Sequence, residues 1–243
     1  MHRRSVLVTG ASSGIGFAIA REFLQLGYCA GLHFCSNETD VRKLSSQYPP
    51  SQSILLQGDF RRAIDVRQIW QAFDHWSDKV EVLVNNAALV PEFCHFEDLS
   101  EDSWDAAFQV NVKAPFLLCR EAFNRMKEQK FGTIINISSI GVKFGGSATT
   151  MHYSASKAAL ESVTRSFAKA GAPYNIRVNA IEAGVTDTPF HRKSGRTDLE
   201  QRIAMIPMKR LALPEEIARV VKFLASSDSS FITGAIIPVS GGE

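Results

Sequence analysis

The sequence predicts an α/β fold, with about seven short strands in a doubly wound parallel sheet and helices on both faces. Three observations carry the prediction. Short apolar runs alternate with longer stretches whose apolar residues recur at the helical period, the pattern of successive βαβ units. The first such run closes on a glycine-rich turn, TGASSGIG at 9–16. No Pro/Gly/Ser-rich linker, charge run or internal repeat divides the 243 residues, so one domain over 1–243 is expected.

The elements follow in order. A first strand is expected at 5–9, ended by Gly10. Residues 14–26 place Ile15, Ala18, Ile19, Phe23 and Leu26 on one helical face, with Gly27 as the stop. A second strand at 28–34 precedes a polar helix running to about 47, and a third strand occupies 53–57. The next helix has Val66, Ile69, Trp70 and Phe73 at the 3.6-residue period. A fourth strand at 80–84 leads into Asn85-Asn86-Ala87-Ala88, then a helical region from about 100 to 130 that Pro115 should kink or split. A fifth strand at 133–137, a helix over 152–171 and a sixth strand at 176–181 come next. Pro214-Glu215-Glu216 starts the last helix, with proline in the first turn and acids at the positive end of the dipole, and a strand at 235–239 closes the chain.

Composition excludes several classes. The chain is 45% hydrophobic and 21% charged, ordinary for a globular protein, and its 27 basic and 25 acidic residues leave a net charge of only +2. That balance argues against a nucleic-acid partner. No apolar run approaches the roughly 20 residues of a membrane span, and MHRRSVLVTG is too short in its apolar part for a secretory signal. Cys29, Cys35, Cys94 and Cys119 lack metal-ligand spacing and are expected as free thiols in a cytoplasmic protein. The six histidines are scattered, and surface or satisfied core positions are expected for them.

Two groups of residues could carry chemistry. Gly10, Gly14 and Gly16 follow a strand and open a helix, which is the setting of a Rossmann-type dinucleotide site. Bare glycines let the backbone approach a pyrophosphate, and the helix start offers free N–H groups. The alternative is a tight turn that binds nothing. Further on, Tyr153 and Lys157 lie one helical turn apart. A phenol titrates near 10, and a neighbouring ammonium is expected to pull it down toward a working range.

TGASSGIG, NNAA at 85–88, Asn111, NISS at 136–139 and YSASK at 153–157, in this order, resemble the short-chain dehydrogenase/reductase family over almost the whole chain. The resemblance implies a dinucleotide-binding part over about 1–140 and a substrate lid over about 185–212. Tyr153 would exchange the proton with the substrate oxygen, Lys157 would tune it and bond the nicotinamide ribose, and Ser139, rather than Ser138, would hold that oxygen. Asn111 would hold a water linking Lys157 to solvent, unless it is an ordinary helix residue. Ser12, Ser13, Ile15 and the three glycines would line the cofactor, with Asn86 and Ala87 on the adenosine side. Asp59 would contact adenine or act as a plain turn residue. Gly184, Val185 and Thr188, in and before VTDT at 185–188, would clasp the carboxamide. Two departures stand out: Ala183-Gly184 replaces the usual Pro-Gly, which implies a looser turn, and Ser240 replaces an aspartate.

No acid closes the second strand, where HFCSN at 33–37 stands, and Glu38 is expected within the following helix. Ser36 and Asn37 are small donors suited to a 2′-phosphate, so NADP(H) is expected over NAD(H), although Ser13 takes a place where many NADP-using relatives have arginine. Among family members the likeness is greatest to bacterial 3-oxoacyl-[acyl-carrier-protein] reductases. That implies a 3-oxoacyl thioester substrate, possible docking of acyl carrier protein, and a homotetramer. Those reductases carry basic residues before the fifth and sixth strands; here the positions hold Lys130 and Tyr174. The lid carries His191, Arg192, Lys193, Arg196, Arg202, Lys209 and Arg210, either a solvated basic loop or a docking surface. Other readings are a reductase of another ketone, quinone or sugar, and a non-catalytic dinucleotide sensor.

Overall fold

Alternation within the strands assigns each residue to one side of the sheet or the other. The computed structural model describes residues 4–77, 79–90, 93–189 and 199–243. In β1 (Ser5–Val8), Val6 and Val8 join one core, with Ile19, Phe23, Leu32, Ile217 and Val221. Leu7 points the other way, into a second core with Phe73, Leu83, Leu118, Ile134 and Val178. A sheet buried on both faces needs strands that are apolar throughout, and that is why these runs lack a polar alternation.

The remaining strands are β2 (Cys29–Phe34), β3 (Ser53–Gln57), β4 (Val82–Asn85), β5 (Gly132–Ser139), β6 (Ile176–Ala183) and β7 (Ile236–Val239). They form one parallel sheet in the order β3-β2-β1-β4-β5-β6-β7. The order reverses between β1 and β4, so the crevice beyond their carboxyl ends is the topological switch point where ligands bind in such sheets. The first core is covered by α1 (Gly14–Gln25) and α8 (Pro214–Ala225), the second by α3 (Ala63–Trp76) and α5 (Ala114–Gln129). Also present are α2 (Thr39–Ser45), α4 (Glu101–Phe108), α6 (Met151–Gly171) and α7 (Leu199–Met205), the last a short helix in the expected lid.

Several boundaries depart from expectation, among them the fourth strand, which begins at Val82 rather than Val80 and runs on to Asn85. β5 and β6 each run two residues further, to Ser139 and Ala183, because these carboxyl ends stay paired to one another. Glu38 stands just before α2 rather than inside it and pairs with Arg42 at 2.7 Å. The region expected to break at Pro115 breaks upstream of it, as a π-helical turn at Gln109–Lys113 between α4 and α5. Pro115 has no N–H to offer the carbonyl of Asn111 four residues back, which releases that carbonyl from the α-helical ladder. Among the described residues no helix is long and apolar enough to cross a membrane.

Candidate active site

The glycine turn sits at the switch point and is braced by the NNAA segment. Thr9 Oγ1 accepts the amides of Asn86 at 2.9 Å and Ala87 at 3.0 Å, and Asn86 Nδ2 donates to the carbonyls of Thr9 at 2.9 Å and Gly10 at 3.2 Å. Gly10 and Gly14 have φ of +67° and +54°, the left-handed region that favours glycine. A Cβ on Gly16 would collide with the Gly10 carbonyl oxygen, so α1 can pack this close to the turn only with glycine there. Ser13 precedes the helix without capping it by its side chain, and the first turn holds no acid. The amides of Gly14, Ile15 and Gly16 thus open the helix with the positive end of its dipole, and they suit a pyrophosphate. Ser12 and Ser13 are half-buried beside them.

The proton-transfer residues converge from three elements. Tyr153 and Lys157 rise from α6, and Ser139 ends β5, where its hydroxyl accepts Gly141 N–H at 3.1 Å and bonds the Tyr153 phenol. Lys157 is 1% exposed, donates to the Ile137 carbonyl at 2.8 Å, and holds Nζ 5.8 Å from the Tyr153 ring centroid. Ser138 is turned away and donates to Glu161 at 2.7 Å. The structure thus brings Ser139, and not Ser138, to the phenol.

Burial reverses the expected electrostatics. Burial raises the Tyr153 phenol to about 12, against the opposing bond from Ser139, and lowers Lys157 to about 8. The expectation that the phenol is pulled down is therefore corrected, because desolvation is the largest influence on it and outweighs the bond from Ser139. At neutral pH the pair still stands as protonated phenol beside ammonium.

Asn111 is fully buried in the π-helical turn. Its Oδ1 accepts Leu89 N–H at 2.8 Å, while Nδ2 donates to Leu89 O at 2.8 Å and to Ser156 Oγ at 3.0 Å. The side chain thus ties the segment after β4 to α6.

The adenosine end is less direct. Asn37 Oδ1 accepts Thr39 N–H at 3.3 Å, and Ser36 and Asn37 are both exposed. Asp59 is gripped by Arg61, whose Nε lies 2.9 Å from Oδ2 and whose amide lies 3.0 Å from Oδ1, and these bonds hold its carboxyl below the usual range. The turn role of Asp59 is thus observed. Arg61 was not signalled by any motif, nor was His33, which bonds the glycine turn directly: Gly10 N–H donates to His33 Nδ1 at 3.1 Å.

On the far side, Gly184 N–H donates to Val239 O at 2.9 Å, Ala212 N–H to Val185 O at 3.0 Å, and Thr186 Oγ1 to Gly184 O at 2.9 Å. Ala183 pairs with both Ser139 and Val239, so the turn expected to be looser without proline is tied on both sides. A Cβ on Gly14 would stand 2.8 Å from Thr188 Cγ2, which places the predicted clasp against the glycine turn. Ser240 is buried and bonds the Glu243 carbonyl, a packing role. A small cavity of about 120 Å³ lies under this segment between Val185, Ile206, Met208 and Val239. His191, Arg192, Lys193 and Arg196 lie outside the described residues. Lys130 ends α5, and Lys127 Nζ stands 4.7 Å from the ring centroid of Tyr174. The four cysteines are free, and among the described residues no group of His, Cys, Asp or Glu could hold a metal ion.

A glycine-cradled helix start at the switch point, facing a serine–tyrosine–lysine cluster, defines the class: a dinucleotide-binding oxidoreductase. A family model described as enoyl-(acyl carrier protein) reductase matches residues 10–243. An uncharacterized oxidoreductase of Thermotoga maritima is 36% identical over 247 residues, covering 98% of this chain and 96% of that protein. The 3-oxoacyl-[acyl-carrier-protein] reductase FabG of the same organism is 34% identical over 242 residues, covering 97% and 96%. The crystal structure of YwfH, an NADPH dependent reductase involved in bacilysin biosynthesis, superposes with a TM-score of 0.88 at 29% identity, covering 99% and 98%. The chain belongs to the short-chain dehydrogenase/reductase family, whose members bind NAD(P).

Proposed function

We propose that this protein reduces a 3-oxoacyl thioester, linked to coenzyme A or acyl carrier protein, to the 3-hydroxyacyl thioester with NADPH. The observation that carries the chemistry is the bond between the Ser139 and Tyr153 hydroxyls, which places two donors where one carbonyl oxygen can receive both. The dinucleotide, when bound, supplies the hydride that the carbonyl carbon gains. Ser139 holds the carbonyl oxygen, and Tyr153, kept protonated by burial, passes its proton to that oxygen as negative charge develops there. Lys157 steadies the resulting phenolate, and the Asn111 carbonyl holds the water through which the proton is replaced.

NADP(H) is favoured over NAD(H). No carboxylate closes β2, the carboxylate of Glu38 is drawn to Arg42, and that of Asp59 is paired with Arg61. The name of the FabG relative supports the thioester, and Lys127 over Tyr174 returns a cation to the second basic position, beside Lys130. These cations suit an acidic carrier protein. We place the protein in the cytoplasm as a homotetramer, in which Ala158 and Ser162 on the outer face of α6, with Phe116 of α5 (40% exposed), meet a second copy.

The test follows NADPH absorbance with acetoacetyl-CoA, with NADH and Tyr153→Phe as controls. Oxidation with NADPH that drops by about 100-fold or more in the variant is expected. Binding of NADPH without oxidation would replace this substrate by another ketone, a quinone, a sugar or an enoyl thioester. A faster reaction with NADH would overturn the cofactor preference alone.

A further inference from the structure

We infer that His33 is a positioning residue for dinucleotide binding, holding the glycine turn by two consecutive amides and locking it to the end of β3. The inference rests on the dinucleotide site described above, and it concerns a residue that contacts neither substrate nor any reacting atom.

His33 lies in β2 and is 2% exposed. Its Nδ1 accepts Gly10 N–H at 3.1 Å, and its backbone carbonyl accepts the next amide, that of Ala11, at 2.7 Å. Its Nε2 lies 3.1 Å from the carbonyl of Gly58, and the Gly58 amide in turn donates to Phe34 O at 3.0 Å. The imidazole stacks on Phe60, with centroids 3.9 Å apart and planes 6° from parallel. Nδ1 must therefore be the acceptor and Nε2–H the donor, which is the neutral ring. Burial pushes its pKa down to about 4, in keeping with that form.

The consequence is geometric. Any residue at 33 would offer Ala11 a backbone carbonyl, but only a side-chain acceptor can take the Gly10 amide. With Gly10 and Ala11 committed to His33, the turn is aimed and the amides of Gly14, Ile15 and Gly16 are left to face a pyrophosphate. The same ring fixes Gly58, immediately before Asp59, so two walls of the cofactor crevice share one support. Such pre-ordering strengthens binding by removing motion that binding would otherwise have to freeze.

Three variants separate this role from a merely structural one. Asparagine keeps an acceptor near the Nδ1 position, glutamine keeps a donor near the Nε2 position, and leucine keeps neither. NADP+ affinity is read by titration calorimetry, kcat and KM by NADPH oxidation, and folding by the urea midpoint. His33→Leu is expected to weaken NADP+ binding by about tenfold or more with kcat at saturating cofactor within about twofold, and His33→Asn to recover binding to within about threefold. Unchanged affinity in the leucine variant, or a lost affinity that asparagine does not recover better than glutamine, overturns the inference. If the leucine variant does not fold, the asparagine–glutamine comparison decides: tighter binding by asparagine supports it, and equal binding refutes it. Wild-type protein that binds neither NADP+ nor NAD+ would overturn the dinucleotide reading and this inference with it, whereas wild-type binding indifferent to residue 33 would overturn the inference alone.

Discussion

Replacing Lys157 by methionine should stabilise the protein at neutral pH and remove part of its pH dependence. Burial lowers the lysine from 10.5 to about 8. A depressed lysine pKa means that folding opposes the charged form. Below pH 8 the folded state carries a desolvated ammonium, and that penalty is relieved as pH rises from 8 toward 10.5. A difference of 10.5 − 8 at about 1.4 kcal/mol per unit is a penalty of about 3 kcal/mol, of which about 2 to 3 kcal/mol is relieved by about pH 10. Methionine never has the penalty, but it loses the bond from Nζ to the Ile137 carbonyl, about 1 to 2 kcal/mol. The net gain at about pH 7 is therefore about 1 to 2 kcal/mol. Urea unfolding of both proteins at about pH 7 and 10, at fixed protein concentration, isolates the effect, since titrating groups remote from Lys157 cancel in the difference and Tyr153 stays protonated in both folded proteins. The wild type should gain about 2 to 3 kcal/mol on the variant over that range. Parallel pH curves would refute the reasoning, and would mean that water reaches Lys157. The same variant should lose reductase activity, because methionine cannot steady a phenolate.

Two further expectations follow from neighbouring residues. Ser139→Ala should lower kcat by about 100-fold or more with little change in folding, whereas Ser138→Ala should keep kcat and lose about 1 kcal/mol by removing the donor to Glu161; urea midpoints and turnover measured on both variants check this, and equal kinetic losses would remove the distinction. Ala158→Arg, on an exposed position of α6, should leave the fold intact and prevent tetramer formation, as read by light scattering; an unchanged mass would move the interface elsewhere.

Much of the fold was legible locally. The third strand is legible at its observed bounds, Ser53–Gln57, because it is a short apolar run that ends at Gly58. The extra residues of β5 and β6 carry no apolar run: Ser138-Ser139 and Glu182-Ala183 stay in the strands because they pair with one another, with Ser138 also bonded to Glu161, and those partners are distant in sequence. The catalytic candidates were legible as spacing. The resemblance already favours Ser139 over Ser138, and the packing of β5 against α6 supplies the physical reason, because it turns Ser138 toward Glu161.

What the sequence determined by itself was periodicity and stereochemistry: alternating apolar segments that demand a sheet covered on both faces, glycines that permit a close turn, and a tyrosine and a lysine on one helix face. Those properties depend on residues a few positions apart. The tertiary structure alone decided the sign of the electrostatics and the supports of the site. Tyr153 is pushed up and Lys157 down because the fold removes water from both, a quantity no spacing encodes. His33 reads as an ordinary strand residue until Gly10 and Gly58, 23 positions before it and 25 after it, are brought to its two ring nitrogens. Desolvation and long-range hydrogen bonds are properties of packing, and packing exists only once the chain has folded.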